Sequence, residues 1–506
     1  QGRIRAEWDR KVQKKKKMEL NFLWQIVAVL LGGYAFVFWF LKKVNEWYYV
    51  GRLGKTEFPL PPGDMGWPFL GNMLSLFKCL RTGDPNHYIH HLISRYGKTG
   101  IYKTHIFGRP SIILCRPELN RRVLTNEETF GLGYPKSVFL LTGEKSLHNV
   151  MVAEHRRLRK LITSPLNGQE AIAMYIKHIE KNVIQFLDEW ASMKKPIELV
   201  EELKKATFKI TTFVFLGYIK ESTFRATDTL FTDYRRGLMA PAINIPGFTF
   251  HKALKARNKL LKIIRSVLEE KKAMAKSNEP EGKKYMIDLL IDVEDEDGKH
   301  LDDEHIADLI LTSLSAGFDG LSMGSLWGLM HLAGNPQVFK KATEEQEEIV
   351  SRRPSTQKGL ILAEIKQMHY LAKVVDEMLR MTNTLALFRK AKIDVSINGY
   401  TIPKGWNVLA WNGAIHMDPT IYENPKNFDP SRWENMSVKQ PGAFMPFGAG
   451  TRLCPGNELA KLVMTIFLHY FLLNYKMERI NPESPLYYEQ APLPLDNGLV
   501  RFTKTT

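Results

Sequence analysis

The chain has 506 residues, 44% of them hydrophobic and 25% charged, so it can bury a large core and its composition excludes wholesale disorder. Its three cysteines, Cys79, Cys115 and Cys454, lie far apart and are odd in number, which argues against a disulfide scaffold and for a reducing, cytosol-facing environment. Of the net charge of +17, residues 1–17 carry +6, from eight Lys or Arg against two Asp or Glu, and the rest of the chain carries +11. This remaining positive charge fits an anionic membrane or an acidic protein partner better than nucleic acid.

The N-terminal region predicts a leader followed by a membrane anchor. Residues 1–17 end in four lysines and precede Met18, so we expect Met18 to be the natural start and residues 1–17 to be an upstream or non-native leader. Residues 22–41 are apolar except for Gln25 and match the length of a bilayer core. A signal peptide is the alternative, but no small-residue cleavage site follows the run. Basic residues after the run predict a single-pass anchor with the remaining chain in the cytosol.

The rest of the chain predicts a mainly α fold with a minor β-sheet. Residues 58–72 contain four prolines and three glycines, which predicts a stiff, non-helical hinge. The next 40 residues mix β-branched runs with turn signals and predict a small sheet. Helical spacing dominates from about 115 to 380, Asn398-Gly399 predicts a hairpin, and a helix follows Pro455. We therefore expect residues 73–506 to form one main folded domain.

The most informative segment surrounds Cys454 and reads FGAGTRLCPG. A thiolate can be a nucleophile, a metal ligand or the axial ligand of a haem iron. No Cys or His stands nearby at zinc spacing. The glycines permit a tight loop, Arg452 can pair with a propionate, and Phe447 can shield the sulfur. The segment therefore favours a haem ligand over the alternative, a buried structural cysteine beside a turn.

The pattern F-x-x-G-x-R-x-C-x-G is the haem-binding signature of the cytochrome P450 family, and this sequence resembles it at all five positions, Phe447, Gly450, Arg452, Cys454 and Gly456. The resemblance covers essentially the whole chain. It implies a cytochrome P450 fold preceded by a single N-terminal transmembrane helix, with a catalytic domain over residues 73–506. It also implies haem b (iron protoporphyrin IX) as cofactor, Cys454 as its iron ligand and the other four residues as haem contacts.

Further motifs support the resemblance and imply a structural triad. EMLR, with Glu377 and Arg380, looks like the family's E-x-x-R, and FDPSRW supplies Arg432. A carboxylate and two arginines can form a charge-satisfied network that pins the loop under the haem. Alone, E-x-x-R is often only a solvated helix face.

Three more residues are expected to contact the haem propionates. EHRRLRK resembles the family's W-x-x-x-R, with His155 in the tryptophan position and Arg159 as the arginine. Arg389, five residues before Asp394, matches a further family propionate contact. The alternative for both arginines is an ordinary surface cation.

The sequence departs from the family on the long helix that crosses the haem. Cytochromes P450 that cleave dioxygen usually carry A-G-x-D-T-T there, and the acid and first threonine help to deliver protons. This chain has SAGFDGLSMG, in which the acid is Asp319 but the threonine position is Gly320. We take Asp319 and Gly320 as the catalytic positions. Proton delivery is expected through ordered water or a substrate hydroxyl, because neither Ser315 nor Ser322 is aligned to replace the threonine.

Small residues recur on one face of the same helix: Ser313, Ala316, Gly317, Gly320 and Gly324. Close packing against a neighbouring helix is one explanation. The other, which we prefer, is a roomy pocket above the iron that admits a rigid, bulky substrate.

The family resemblance implies that a further set of mostly apolar residues lines the substrate pocket. Each of them could equally be an ordinary residue of the hydrophobic core. These are Tyr134, Val138, Phe139, Leu140, Ser313, Ala316, Gly317, Leu385, Leu387, Phe388, Leu493 and Leu495.

The overall pattern resembles a plant microsomal branch of the family that contains ent-kaurenoic acid oxidases and triterpenoid oxidases. The resemblance implies an endoplasmic-reticulum enzyme that receives NADPH-derived electrons through NADPH-cytochrome P450 reductase and oxidises a polycyclic terpenoid, first a triterpenoid of the cucurbitadienol or β-amyrin type. The alternatives are an ent-kaurenoic acid oxidase of gibberellin biosynthesis, an isomerase or dehydratase that does not use dioxygen, and a haem protein without turnover. Membrane lipid and the reductase are the expected partners, and nucleic acid is not.

Overall fold

A computed structural model describes residues 2–276, 285–382, 386–434, 440–488 and 491–505. One expected pocket residue, Leu385, lies outside the described residues.

The N-terminal region forms one long helix, α1 (Gly2–Asn45), which continues as a π-helix over Glu46–Val50. The most apolar 18-residue window of Trp24–Val50 has a mean hydropathy of 1.8 and contains no buried residue, so by length and composition this segment can cross a membrane. Asp303–Gly334 passes the same test, but 61% of its most apolar window is buried, as expected of a core helix. A single N-terminal anchoring helix therefore fits the structure.

The end of the anchor helix is attached to the folded body. Asn45 Nδ2 donates to the carbonyls of Met65, at 3.0 Å, and of Trp67. The ring of Phe38 meets the Trp67 ring edge-on with centroids 4.7 Å apart. The hinge, residues 58–72, contains no helix and contributes only isolated bridge contacts, because proline and positive-φ glycine interrupt regular hydrogen bonding.

Helices make up most of the described chain. After the anchor they are α2 (Met73–Arg81), α3 (Asn86–Tyr96), α4 (Pro117–Thr125), α5 (Lys136–Thr142), α6 (Val152–Asn167), α7 (Gln169–Ser192), α8 (Leu199–Leu216), α9 (Glu221–Leu238), α10 (Thr249–Lys276), α11 (Met286–Asp292), α12 (Asp303–Gly334), α13 (Pro336–Ser351), α14 (Leu362–Ile365), α15 (His369–Met381), α16 (Asn412–His416) and α17 (Asn457–Asn474).

The strands form one larger sheet and three small ones. They are β1 (Ile101–Ile106), β2 (Arg109–Leu114), β3 (Phe130–Leu132), β4 (Ile197–Glu198), β5 (Leu387–Ala391), β6 (Val395–Ile397), β7 (Tyr400–Ile402), β8 (Asn407–Ala410), β9 (Tyr475–Arg479), β10 (Leu486–Tyr488), β11 (Pro492–Pro494) and β12 (Leu499–Lys504). The larger sheet has the order β1-β2-β8-β5-β3, and the others are β4-β12-β9, β10-β11 and β6-β7.

The hairpin expected around Asn398-Gly399 joins β6 to β7. Both turn residues have positive φ, 49° and 76°, as a two-residue hairpin turn with matching twist requires.

The centre of the molecule is α12, which packs between α8 and α17. Its side chains belong to one large apolar cluster that also includes residues of α7, α8 and α17, and Phe318 meets Phe208 edge-on at 5.6 Å. Burial of this cluster is the main driving force for the helical body. The expected fold class, mainly α with a minor sheet, is confirmed.

Candidate functional site

Cys454 lies in a tight loop that ends at the start of α17. A short 3₁₀ turn spans Gly450–Arg452, and Cys454 N donates to Phe447 O at 3.0 Å. Gly448 and Gly450 have φ of 81° and 73°, which L-residues with side chains rarely adopt. The loop therefore curls back on itself and places the sulfur just before the first turn of a helix.

The environment of the sulfur is enclosed. Burial raises the pKa of the Cys454 thiol, although the Gly456 N–H, which bonds the sulfur, and the Arg159 guanidinium act in the opposite direction. A buried thiol of this kind becomes a thiolate only beside a strong positive partner, and a haem iron is one.

Arg452 is held by a carboxylate that the sequence did not identify. Its Nε donates to Glu127 Oε1 at 2.6 Å, and its Nη1 donates to Leu147 O at 2.6 Å. Thr451 Oγ1 donates to Glu127 Oε2 at 2.6 Å. Burial alone would raise the pKa of Glu127, but these bonds outweigh it and the pKa is lowered. Glu127 thus fixes the loop two residues before the cysteine.

Two α6 residues expected at the haem edge lie beside this loop. Arg159 Nη1 donates to the carbonyl of Leu453, directly before the cysteine. His155 is 2% exposed, and its buried Nδ1 has no hydrogen-bond partner among the described residues. Burial, together with Arg452, lowers the pKa of His155 to about 4, so the ring is neutral at physiological pH.

A third expected cation, Arg389 on β5, is 5% exposed. Its Nη1 donates to Phe388 O at 3.2 Å, and no carboxylate within the described residues pairs with it. Burial lowers its pKa, with Tyr134, Arg452 and Glu127 as charged or titratable neighbours.

One further residue of this cluster, His148, was not expected from the sequence. Its ring meets Tyr134 edge-on at 5.7 Å, and its Nδ1 is buried and unpartnered. Burial and the nearby Arg452 lower the pKa of His148 to about 4.

These side chains fit a haem with two propionates. Three arginines and two neutral histidines share a buried region with Cys454, and Glu127 is the carboxylate that faces them. Buried cations need anionic partners, and unpartnered imidazole nitrogens need acceptors or donors. Arg159, Arg389 and Arg452 would hold the propionates, with His148 and His155 as neutral partners, while Cys454 would bind the iron.

The structure brings the expected triad together. Arg380 Nη2 and Nε donate to the two oxygens of Glu377 at 2.8 and 2.9 Å, and Arg432 Nε donates to Glu377 Oε1 at 2.9 Å. The side chains of Glu377 and Arg380 are fully buried, and that of Arg432 is 7% exposed.

The remaining donors of both arginines bind main-chain carbonyls. Arg380 reaches His416 O at 2.6 Å and Pro425 O at 2.8 Å, and Arg432 reaches Glu423 O at 2.9 Å. A buried ion network is stable only when its hydrogen bonds are satisfied in this way. The triad therefore ties α15 to the irregular segment that precedes the cysteine loop.

On α12 the expected relay acid, Asp319, is engaged by an arginine of α9. Arg235 Nε donates to Asp319 Oδ2 at 2.7 Å, and its Nη2 contacts Asp319 Oδ1. The guanidinium also lies over the Phe318 ring, 4.6 Å from the centroid. Arg235 was not identified from the sequence because 84 residues separate it from the acid.

The small residues of α12 divide between two environments. Ala316 and Gly320 are exposed on an otherwise buried helix, and a Cβ at Gly320 would meet no atom within 4 Å. A Cβ at Gly317 would contact Thr211 and Phe215 of α8, and one at Gly324 would clash with Met464 of α17. Gly317 and Gly324 are therefore helix-packing positions, which corrects the expectation of one continuous face towards the haem.

The other expected pocket residues are also placed in different environments. Tyr134 and Phe388 contact each other at 5.6 Å, and Leu387 lies beside Gly448 of the cysteine loop. Val138 and Leu493 are buried, whereas Ser313 and Phe139 are half-buried.

Two residues expected in the pocket wall are exposed, Leu140 at 46% and Leu495 at 62%. Their place in the wall stays a prediction, because residues that line an open pocket are also accessible to solvent.

Comparisons with known proteins agree with this geometry. The family model described as cytochrome P450 matches residues 61–497. The chain is 50% identical over 489 residues to a 7,8-epoxymelianol synthase of Ailanthus altissima, covering 96% of this chain and 98% of the relative. It is 48% identical to a β-amyrin 11-oxidase of Glycyrrhiza uralensis, covering 97% and 100% of the two chains.

Two further matches extend the comparison. Ent-kaurenoic acid oxidase 1 of Arabidopsis thaliana is 47% identical, with 92% of this chain and 95% of the relative covered. Among solved structures, the retinoic acid-bound cyanobacterial CYP120A1 superposes with a TM-score of 0.78 at 26% identity, covering 89% of this chain and 100% of that chain. From the cysteine loop, the triad and these matches together, the chain belongs to the cytochrome P450 family.

Proposed function

We propose that this chain is a membrane-anchored haem-thiolate monooxygenase that hydroxylates or oxidises a polycyclic terpenoid, with a triterpenoid as the first candidate. Its relatives at 48 to 50% identity include a 7,8-epoxymelianol synthase and a β-amyrin 11-oxidase over nearly the whole chain. The observation that supports a bulky substrate is the open space at Gly320, where the helix that crosses the site has neither a side chain nor a neighbour within 4 Å.

The roles proposed for the residues follow from their positions. Cys454 would hold the iron of haem b, and Arg159, Arg389, Arg452 and His155 would bind its propionates. Phe447 supplies the carbonyl that anchors the cysteine amide. The bound haem supplies activation of dioxygen and insertion of one oxygen atom into a C–H bond.

Proton supply at the open face is assigned to Asp319 with ordered water or a substrate hydroxyl. Gly320 has no hydroxyl, and Ser322 Oγ is turned back to donate to Asp319 O at 3.1 Å, so it is not directed to the open face. Arg235 holds the Asp319 carboxylate in one orientation. Asp319 is thus held in position, and the group that replaces the usual threonine hydroxyl in proton transfer would be an ordered water or a substrate hydroxyl.

The proposal also covers location and electron supply. The apolar segment Trp24–Val50 would place the enzyme in the endoplasmic reticulum membrane with its catalytic domain in the cytosol. Electrons would come from NADPH through NADPH-cytochrome P450 reductase.

The second candidate is oxidation of ent-kaurenoic acid, supported by 47% identity to ent-kaurenoic acid oxidase 1. An isomerase or dehydratase function remains the candidate from another class, because Gly320 removes the usual relay hydroxyl.

One assay separates these candidates. The enzyme, its reductase and NADPH are incubated with tetracyclic and pentacyclic triterpenes and, separately, with ent-kaurenoic acid, and products and oxygen uptake are measured. Oxygenated triterpene products formed with stoichiometric oxygen uptake support the proposal. Product from ent-kaurenoic acid alone supports the second candidate, and conversion without oxygen uptake would overturn the monooxygenase assignment.

A further inference from the structure

The short helix α16 lies between the buried triad and the cysteine loop and contacts both. Arg380 of the triad donates to the carbonyl of His416, the last residue of α16, at 2.6 Å. On its other side α16 faces Met445, two residues before Phe447. Asn412 and His416 are 3% and 1% exposed, so both make their contacts in the interior.

The two α16 side chains bind both main-chain groups of Met445. Asn412 Nδ2 donates to Met445 O at 3.0 Å, and Met445 N donates to His416 Nε2 at 3.3 Å. Asn412 also contacts Asn120 of α4, whose side-chain amide lies 2.9 Å from Asn412 Oδ1. Met445 is therefore held at two points, which fixes its peptide planes as well as its position.

The imidazole of His416 can make both of its hydrogen bonds in only one of its two neutral tautomers. His416 Nδ1 lies 3.2 Å from Arg380 O, so this nitrogen must carry the proton and donate. Nε2 is then unprotonated and can accept from Met445 N–H. Burial, with the charge of Arg380 acting in the same direction, lowers the pKa of His416 to about 3, so this form persists at physiological pH.

From Met445 the hydrogen bonds continue to the cysteine. Gly448 N donates to Met445 O at 3.1 Å, and Cys454 N donates to Phe447 O at 3.0 Å. A shift of Met445 would move the carbonyl that anchors the cysteine amide, because only one residue, Pro446, separates Met445 from Phe447.

We propose that Asn412 and His416 are positioning residues of the haem-thiolate centre, which hold Met445 so that the sulfur of Cys454 meets the iron as a thiolate. The two residues connect the triad to the loop through side-chain bonds rather than through the chain. This inference rests on the proposal that Cys454 is the iron ligand.

The test uses the spectrum of the haem-loaded, full-length protein. His416→Phe keeps an aromatic ring beside Phe444, whose centroid lies 5.5 Å away, but removes both hydrogen bonds. At equal haem content, the ratio of the thiolate-type to the thiol-type Soret band of the reduced, carbon monoxide-treated protein should fall by about tenfold, the effect of one buried unpaired amide. The midpoint potential of the haem iron should rise, because a thiol donates less charge than a thiolate.

Two variants distinguish positioning from general destabilisation. His416→Gln can donate through its amide nitrogen and accept through its amide oxygen, so it should restore much of the thiolate-type band. His469→Phe is the matched control, since His469 is 0% exposed and its Nδ1 lies 2.8 Å from Gln346 Oε1 of α13, a different partner from those of His416. It should lower thermal stability and leave the band ratio unchanged.

The outcomes separate the two proposals. If the parent protein lacks the thiolate-type band, the assignment of Cys454 fails. If the parent has the band and His416→Phe keeps the same ratio, the positioning role is overturned. Should His416→Phe not fold, Asn412→Leu carries the same expectation and the same contradicting result; it removes the bonds to Met445 O and to Asn120 and leaves His416 in place.

Discussion

Asp319 on α12 and Arg235 on α9 form a two-point ion pair, with Arg235 Nε donating to Asp319 Oδ2 at 2.7 Å and Nη2 contacting Oδ1. The two side chains are 19% and 17% exposed, so the pair is largely shielded from solvent. The acid expected to relay protons is thereby held in place by a side chain of α9.

Removal of the acid should slow oxidation without weakening substrate binding. Asp319→Asn keeps the shape of the side chain and loses the carboxylate, so the rate of product formation should fall by about 100-fold or more, as for loss of a proton-transfer group. The substrate-induced spectral dissociation constant should change little, since Asp319 already faces Arg235. Product per NADPH, measured by chromatography, checks the prediction.

A matched control is Asp288→Asn, because Asp288 has similar exposure, 20%, and pairs with Lys271 at 3.2 Å on a different helix. It should leave turnover unchanged. Equal turnover in Asp319→Asn and the parent would show that the carboxylate takes no part in proton delivery.

Restoring the hydroxyl at position 320 tests the interpretation of the open face. The space at Gly320 accepts a Cβ without contact, so Gly320→Ala should stabilise α12 by about 1 kcal/mol through helix propensity. If the space serves a bulky substrate, Gly320→Thr should reduce triterpene turnover and leave product per NADPH no higher than in the parent. Improved coupling in Gly320→Thr, but not in Gly320→Ala, would mean that the missing hydroxyl is a handicap rather than an adaptation.

Gly450, two residues before Arg452, should not tolerate replacement by a larger residue, for steric reasons. At Gly450 φ is 73°, and a Cβ would lie 2.8 Å from Leu124 O and 2.9 Å from Thr125 Cα, both main-chain atoms. Gly450→Ala should therefore displace the loop and reduce haem content. Gly405→Ala is the control, because φ is 84° there and no atom lies within 4 Å of the added Cβ.

Both variants incur the strain of a left-handed alanine, roughly 1 kcal/mol, but only Gly450→Ala adds a clash. The ratio of haem absorbance to protein absorbance measures the difference. Equal haem content in the two variants would contradict the close packing of α4 against the loop.

Acid should destabilise the protein through its buried histidines. Mainly because of burial, the pKa values of His416 and His469 are lowered to about 3 from the ordinary 6.5. The unfolded chain therefore binds protons below pH 6.5 that the folded chain does not. The contribution of the two neutral histidines to the unfolding free energy is complete above pH 6.5. It is lost as the pH falls from 6.5 towards 3, by about 1.4 kcal/mol per pH unit for each histidine.

Denaturant titrations at several pH values from about 7 to about 5 measure how steeply the unfolding free energy changes with pH. In His469→Phe the dependence of the unfolding free energy on pH should be shallower by about one proton. An unchanged slope would mean that His469 takes up a proton in the folded state.

Local sequence patterns were sufficient to predict the hairpin at Asn398-Gly399 and to place Glu377 beside Arg380. In both cases the pattern itself fixes the geometry: positive φ at the hairpin turn and a carboxylate one helical turn from Arg380. The role of the cysteine loop and the second partner of Glu377 were predicted from the family resemblance instead, since Arg432 is 55 residues from Glu377.

The residues that sequence reasoning missed depend on distant partners. Glu127 is 325 residues from Arg452, and Asn412 meets Asn120 across 292 residues. Helical periodicity placed the small residues of α12 on one face, but it could not show that Gly317 packs against α8 and Gly324 against α17. That assignment depends on which helices pack around α12, a property of the whole fold.

The central claim, that Cys454 binds the iron of a haem as a thiolate, is tested most directly by the absorption spectrum of the reduced, carbon monoxide-treated protein. The account predicts the red-shifted Soret band of thiolate-ligated haem in the parent protein and its loss in Cys454→Ala. A parent protein that binds haem without that band, or a Cys454→Ala variant that keeps it, would contradict the claim.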